Sequence, residues 1–131
     1  MGWATGTGLP FTGAEFSVRE VGVAWLLRGG DVLASIELAR SPGRRAIGLI
    51  GRKRLDGGLL LEPCRVVHTI GVRFPIDVAY LDRSGVVIGI RRFRRFRIGL
   101  PRRRARSVLE AEAGAFERWR LAVGDTLETR E

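Results

Sequence analysis

The stretch from Pro63 to Gly85 decides the fold of this 131-residue chain, and it reads PCRVVHTIGVRFPIDVAYLDRSG. Its second half, Ile76–Leu81, is rich in β-branched and aromatic residues and is bounded by a proline and a polar turn, a pattern typical of a strand. Alternation along such a strand places Asp77 on the same face as Ala79 and Leu81. The sequence therefore predicts a strand with a carboxylate on a largely apolar face.

Asp77 needs a partner in that position, because an unpaired buried charge is very costly. The nearest candidates along the chain are Arg73 and His68, since a turn over residues 70–74 would fold His68 back toward the strand. Two interpretations of His68, Arg73 and Asp77 stay open. They form either a pocket with an acid/base or ligand-anchoring role, which includes a hydrolase-like enzyme using His68 and Asp77, or a polar cluster that only fixes the turn.

Cys64 is the only cysteine and His68 the only histidine, which invites the hypothesis of a Cys–His nucleophile pair. On extended chain the two residues would lie roughly 13 Å apart, too far for the hydrogen bond that such a pair needs. We therefore expect Cys64 to fill apolar space. One cysteine excludes an intrachain disulfide, and no recognised ligand spacing indicates a metal site, so the sequence predicts neither metal nor cofactor.

The length predicts one domain, which we place at residues 17–131. Residues 1–16 are rich in Gly and Thr and lack periodicity, so we expect them to form a flexible extension. No run of apolar residues reaches the ~20 residues that span a bilayer, and no signal-peptide pattern opens the chain. We expect a soluble, cytoplasmic protein.

The rest of the chain reads mostly as strands. Gly29-Gly30 separates two β-prone runs and predicts a tight hairpin, while Ser41 followed by Pro42 predicts the start of a short helix. Further strands are predicted over residues 59–62, 86–90 and 107–112 and after Gly124, with a helical turn or two at 115–120. The sequence thus predicts a mainly β domain with one or two short helices.

The charge of the chain is concentrated in residues 91–106, which we call the Arg segment. The formal net charge is +9, and the Arg segment holds nine arginines and no acid, so the other 14 basic residues balance the 14 acidic ones. Phe93 and Phe96 lie between these arginines and could stack on nucleic-acid bases. The segment is either a solvated loop whose phenylalanines pack under the domain or a surface for an anionic partner, nucleic acid or an acidic membrane. The candidate anion-binding residues are Arg91, Arg92, Arg94, Arg95, Arg97, Arg102, Arg103 and Arg104.

Several motifs together resemble a family of uncharacterised bacterial and archaeal proteins, domain of unknown function 192. The matching pieces are RRAIGLIGR at 44–52, Cys64, VHT at 67–69, RFPIDV at 73–78, LD at 81–82, VLE at 108–110, AG at 113–114 and VGD at 123–125. The resemblance covers residues 39–128, and the Arg segment departs from it. It implies a compact β-sandwich, jelly-roll-like or barrel-like domain with one or two small helices, and no established activity. We expect a binding or accessory domain whose ligand the sequence does not name.

Overall fold

The strand predicted over Ile76–Leu81 forms with those bounds. The computed structural model describes residues 21–131, in which seven strands and two short helices occur. The strands are β1 (Val21–Arg28), β2 (Asp31–Ala39), β3 (Gly58–Leu61), β4 (Ile76–Leu81), β5 (Val87–Phe93), β6 (Ser107–Glu112) and β7 (Leu127–Arg130), and the helices are α1 (Pro42–Ile47) and α2 (Ala115–Arg118). The prediction of a flexible extension at residues 1–16 lies outside the described residues.

The seven strands form one sheet in the order β5-β4-β6-β3-β2-β1-β7. Neighbours are antiparallel except β2 and β3, which are joined by a connection that contains α1. The sheet curls into a half-barrel, so that its two edge strands approach each other. At that point Leu127 donates a backbone hydrogen bond of 2.9 Å to Gly85, and Val86 bridges to Thr126.

At β3, β4 and β6 both faces of the sheet are buried. On one side Ala79 and Leu81 of β4 pack in a cluster that includes Phe116 of α2. On the other side Val78 and Tyr80 pack in a second cluster, which the connections after β2 and β3 help to cover. We call these sides the α2 face and the Tyr80 face. A strand buried on both faces explains why any polar side chain on β4 needs a partner within the protein.

The local signals read from the sequence are confirmed. Gly29 and Gly30 form the hairpin turn between β1 and β2 with positive φ angles of 58° and 88°. Ser41 is the N-cap of α1, where its side-chain oxygen accepts a hydrogen bond of 3.2 Å from the backbone N–H of Arg44. The strand predicted over 107–112 has those bounds, whereas β5 continues to Phe93, beyond the predicted end at Ile90.

The fold class is therefore mainly β, as predicted, and a single curled sheet gives it its barrel-like form. Among residues 21–131 no helix is both long and apolar enough to cross a membrane.

Candidate functional site

Asp77 is buried as predicted, but its partners differ from the predicted ones. Its carboxylate accepts a hydrogen bond of 2.8 Å from Nε of Arg92 and another of 2.8 Å from the backbone N–H of Gly114. The N–H of Phe116 donates a third, at 3.3 Å. Gly114 is the N-cap of α2 and has no side chain to cap it, so Asp77 supplies the oxygen that the first turn of the helix needs.

Asp77 meets Arg92 and not His68 or Arg73 for a simple geometric reason. Alternation turns Asp77 to the α2 face, where Arg92 lies directly opposite it on β5. His68 and Arg73 precede β4 in exposed positions, and neither has a hydrogen bond or ion pair to Asp77 within residues 21–131. His68 instead forms a backbone bridge with Ile98. The structure thus does not bring the three predicted residues together as one polar site.

Arg92 is held by two carboxylates and is engaged in the fold. Besides Asp77, it contacts Oε1 of Glu117 at 3.1 Å. Hydrogen bonds to these two carboxylates raise the pKa of its guanidinium. Among the described residues, the other eight arginines of the Arg segment have no carboxylate within ion-pair distance. Their charges are therefore not neutralised by carboxylates of the described residues.

The loop after β5 is fastened to residues 65–69. The backbone N–H of Thr69 donates to Arg97 at 2.7 Å, and that of Gly99 donates to Val67 at the same distance. The buried hydroxyl of Thr69 donates to the carbonyl of Arg94 at 2.6 Å and accepts from the N–H of Arg97 at 2.7 Å. These hydrogen bonds therefore fix the backbone conformation of the loop within the Arg segment.

Two open clefts lie along this segment. The larger, about 660 Å³, lies between β5 and residues 97–102, and Arg91, Arg92, Arg94, Arg97 and Arg102 line it together with Tyr80 and Phe93. The smaller, about 430 Å³, is lined by the arginines at 65, 83, 103, 104 and 106. Both clefts present mainly cationic side chains.

The two phenylalanines of the Arg segment have different environments. Phe93 is the last residue of β5, and alternation turns it into the core of the Tyr80 face, where it is 7% exposed. Phe96 is 61% exposed, and the guanidinium of Arg95 lies 5.1 Å from its ring centroid. Of the two predicted stacking residues, only Phe96 is therefore on the surface.

Two aliphatic residues that the sequence did not single out accompany Phe96. Ile98 is 69% exposed and Leu100 is 83% exposed, and both line the larger cleft. Their spacing of two, interrupted by Arg97 and Gly99, was the available signal. The surface of the Arg segment is therefore apolar as well as cationic.

Glu110 is a second buried carboxyl group that sequence reasoning missed. It lies on β6 between Leu59 and Val78, on the Tyr80 face, and burial raises its pKa to about 8. No hydrogen bond to its side chain is formed by any residue that the structure describes. It lines a narrow cavity of about 40 Å³, to which Cys64 and His68 also contribute. Its alternation with Val108 on a predicted strand was the signal that could have placed it inside.

Cys64 is half-buried beside the same cavity, in accordance with its predicted role as an apolar filler. Its Sγ donates to the carbonyl of Val66 at 3.1 Å, and burial raises the pKa of the thiol. A protonated thiol is a weak nucleophile. In residues 21–131 no three His, Cys, Asp or Glu side chains converge as metal ligands.

These features define a mainly β domain with a basic and partly apolar surface beyond an edge strand. The chain belongs to the family called domain of unknown function 192, described as "Uncharacterized ACR", whose model matches residues 25–129. The resemblance seen in the motifs is thereby confirmed.

Individual relatives support the same assignment. The UPF0127 protein PF1050 of Pyrococcus furiosus is 26% identical over 106 residues, which are 77% of this chain and 91% of the relative. Two crystal structures are similar in fold. One is of a candidate transcription regulator from Sinorhizobium meliloti (TM-score 0.67, 24% identity, 82% of this chain and 92% of the other), and one is of a protein of unknown function from Novosphingobium aromaticivorans (TM-score 0.66, 21% identity, 82% and 84%). At these identities the two structures bear on the fold alone.

Proposed function

We propose that this domain binds acidic membrane surfaces through the Arg segment, as a binding or accessory domain without a catalytic role there. One observation carries the proposal: the exposed apolar side chains of Phe96, Ile98 and Leu100 stand among arginines that have no carboxylate partner. Cationic side chains next to protruding aromatic and aliphatic ones are the combination that anchors proteins at an acidic bilayer interface.

The charge supplies the first part of the attraction. Each basic residue near an acidic leaflet contributes about 1 kcal/mol at moderate ionic strength. The acid-free stretch from 91 to 106 contains eight arginines that form no ion pair with a carboxylate of the described residues. Binding that depends on them is expected to weaken as salt screens the charges.

The aliphatic residues favour a membrane over nucleic acid. Ile98 and Leu100 have no ring to stack on a base, whereas acyl chains accept them with a gain of about 0.8 kcal/mol per buried methylene. Nucleic acid would use Phe96 as a stacking residue, but Phe93 is in the core. Nucleic-acid binding is therefore the alternative outcome of the test.

The hydrolase-like alternative receives no support from the contacts. Both oxygens of Asp77 accept hydrogen bonds from Arg92 or from the first turn of α2, so its carboxylate is committed to the fold. His68 lies at another site, in an exposed loop. A general base must be within reach of the group that it deprotonates.

The test is co-sedimentation of the full chain with phosphatidylcholine vesicles, with and without phosphatidylserine, across a salt titration. We expect binding to the acidic vesicles only, and at least about a tenfold loss for the triple variant Phe96→Ser, Ile98→Ser, Leu100→Ser. A matched control is the triple variant Val23→Ser, Trp25→Ser, Val32→Ser, which removes exposed apolar side chains from β1 and β2. The control should bind as the unmodified chain does.

Labelled single- and double-stranded oligonucleotides are measured alongside the vesicles. Equal binding to neutral vesicles, or an equal loss in the control variant, would contradict the proposal. Binding to oligonucleotides but to no vesicle would show that the Arg segment binds nucleic acid and not membranes.

A further inference from the structure

Tyr80 brings an unused hydroxyl group to the larger cleft of the Arg segment. Its side chain is on β4, next to the edge strand β5, and is only 1% exposed, yet it lines this cleft. Within residues 21–131 no group forms a hydrogen bond with the hydroxyl. The hydroxyl is not among the buried unpartnered atoms of the described residues, so it reaches the opening of the cleft, where it is a donor available to a ligand.

Arg102 is positioned directly over this tyrosine. Its guanidinium carbon lies 4.7 Å from the centroid of the Tyr80 ring. The guanidinium occupies space that Gly89 leaves open on β5, because a Cβ at Gly89 would lie 2.7 Å from Nη1 of Arg102. Gly89 is the cross-strand neighbour of Tyr80. The absence of a side chain at this position gives Arg102 its place.

A second glycine brings the other wall of the cleft close. A Cβ at Gly99 would lie 2.7 Å from Cζ of Phe93 and 3.4 Å from Oη of Tyr80. The backbone of residues 97–102 therefore passes close over the tyrosine hydroxyl. A larger residue at 99 would move this wall away from it.

Arg91 also lines this cleft. It pairs with Val78 and so points to the Tyr80 face, the opposite side from Arg92. Burial raises the pKa of Tyr80, while the charges of Arg102 and Arg91 act to lower it, as expected of two cations near the ring. Neither arginine has an ion-pair partner in the part of the chain that the structure describes.

We propose that Tyr80, Arg91 and Arg102 form a binding pocket for a phosphate monoester group. Two guanidinium groups and one hydroxyl offer hydrogen-bond donors suited to the oxygens of a single phosphate, and arginine is the side chain best matched to phosphate geometry. The group comes from a lipid headgroup or from a soluble phosphate. The lipid source rests on the proposed membrane function, and it fits the cleft because Ile98 and Leu100 line the same opening.

In the experiment, inorganic phosphate and methyl phosphate are titrated in turn into the full chain, and binding is measured by calorimetry. Tyr80→Phe removes only the hydroxyl, and Gly89→Ala displaces the far end of a flexible side chain, so both variants are expected to fold. Each should weaken binding about tenfold, the cost of losing a hydrogen bond to a charged group. Lys53→Gln removes an exposed charge from a residue that does not line the cleft, and this variant should bind phosphate as the unmodified chain does. Absence of phosphate binding, or unaltered binding in both variants, overturns the pocket.

Vesicles separate the two sources of phosphate. Vesicles with phosphatidic acid are compared with phosphatidylserine vesicles of matched surface charge. A preference for phosphatidic acid that disappears in Tyr80→Phe, while phosphatidylserine binding remains, assigns the pocket to a lipid headgroup. Equal vesicle binding with Tyr80-dependent binding of inorganic phosphate assigns it to a soluble ligand. Vesicle binding without any phosphate binding overturns the pocket and leaves the proposed membrane function standing. Tyr80-dependent phosphate binding without vesicle binding overturns the membrane function and leaves the pocket standing.

Discussion

The carboxylate of Asp77 lies 2.8 Å from Nε of Arg92, its direct cross-strand neighbour. The same carboxylate accepts hydrogen bonds from the backbone of Gly114 and Phe116 at the start of α2. One side chain on β4 therefore fixes an edge strand and a helix at once.

Replacing Asp77 by Ala is expected to lower the free energy of unfolding by about 1 to 3 kcal/mol, because the backbone N–H groups of Gly114 and Phe116 lose their acceptor. Urea denaturation measures the change. Arg73→Ala and His68→Ala are the matched controls, since these were the partners predicted from the sequence, and both should leave the denaturation midpoint unchanged. A loss of stability in Arg73→Ala as large as that in Asp77→Ala would indicate that Arg73 is the partner of Asp77.

Glu110 makes stability depend on pH. Its pKa is about 8 in the folded chain, against an ordinary value of 4.5 that applies to the unfolded chain. Between these values the unfolded chain has released a proton that the folded chain still holds, so stability falls as the pH rises from about 4.5 to about 8. At about 1.4 kcal/mol per unit of pKa, the difference of about 3.5 corresponds to at most about 5 kcal/mol.

The variant Glu110→Gln keeps the shape and removes the ionisation. We expect it to be more stable than the unmodified chain at pH 8, close to it at pH 5, and to show a flatter profile in between. Urea denaturation at several pH values gives the comparison, with the exposed Glu128→Gln as the control. An unchanged pH profile in Glu110→Gln would show that this carboxyl group ionises normally in the fold.

Cys64 should react slowly with a thiol reagent such as 5,5′-dithiobis(2-nitrobenzoate). It is half-buried, its Sγ is hydrogen-bonded to Val66, and its pKa is raised by burial. At pH 7 to 8 we expect a rate at least about tenfold lower in the folded chain than in urea, because the thiolate is the reactive form. The signal belongs to one residue, since the chain has a single cysteine. Equal rates would reopen a nucleophilic role for this thiol.

The two phenylalanines of the Arg segment give a direct contrast. Phe93→Ala should destabilise the domain by about 3 kcal/mol or more, because it leaves a cavity in the core. Phe96→Ala should change stability by no more than about 0.5 kcal/mol, as is usual for a surface substitution. Thermal or urea unfolding of the two variants makes the comparison. Similar losses in both would contradict the exposure of Phe96.

Local patterns predicted most of the elements. Alternation gave β4 and the burial of Asp77, two glycines gave the first hairpin, and Ser41 gave the start of α1. These features depend on residues within a few positions of one another, where backbone geometry alone imposes the structure.

Contacts between distant segments were not predictable in the same way. Arg92 and Gly114 reach Asp77 because β4 lies between β5 and β6 in the sheet. The alternation of apolar and polar residues does not predict this strand order. Glu110 was missed for a related reason. A strand pattern gives two faces but not which of them is covered, and here both are. The strand that contains Phe93 extends three residues beyond its predicted end, so alternation could not decide between stacking and burial for this residue.

The hydrogen bonds of Thr69 to both Arg94 and Arg97 affect how strongly the Arg segment can bind a partner. Like charges held this close repel one another, and a free loop would spread them. Ordering a backbone costs roughly 1 to 2 kcal/mol per residue in entropy, and here the fold has met that cost before any partner arrives. The surface is preorganised, so little affinity is lost to rearrangement on binding. Thr69→Val, which changes no charge, would then weaken association by loosening the loop.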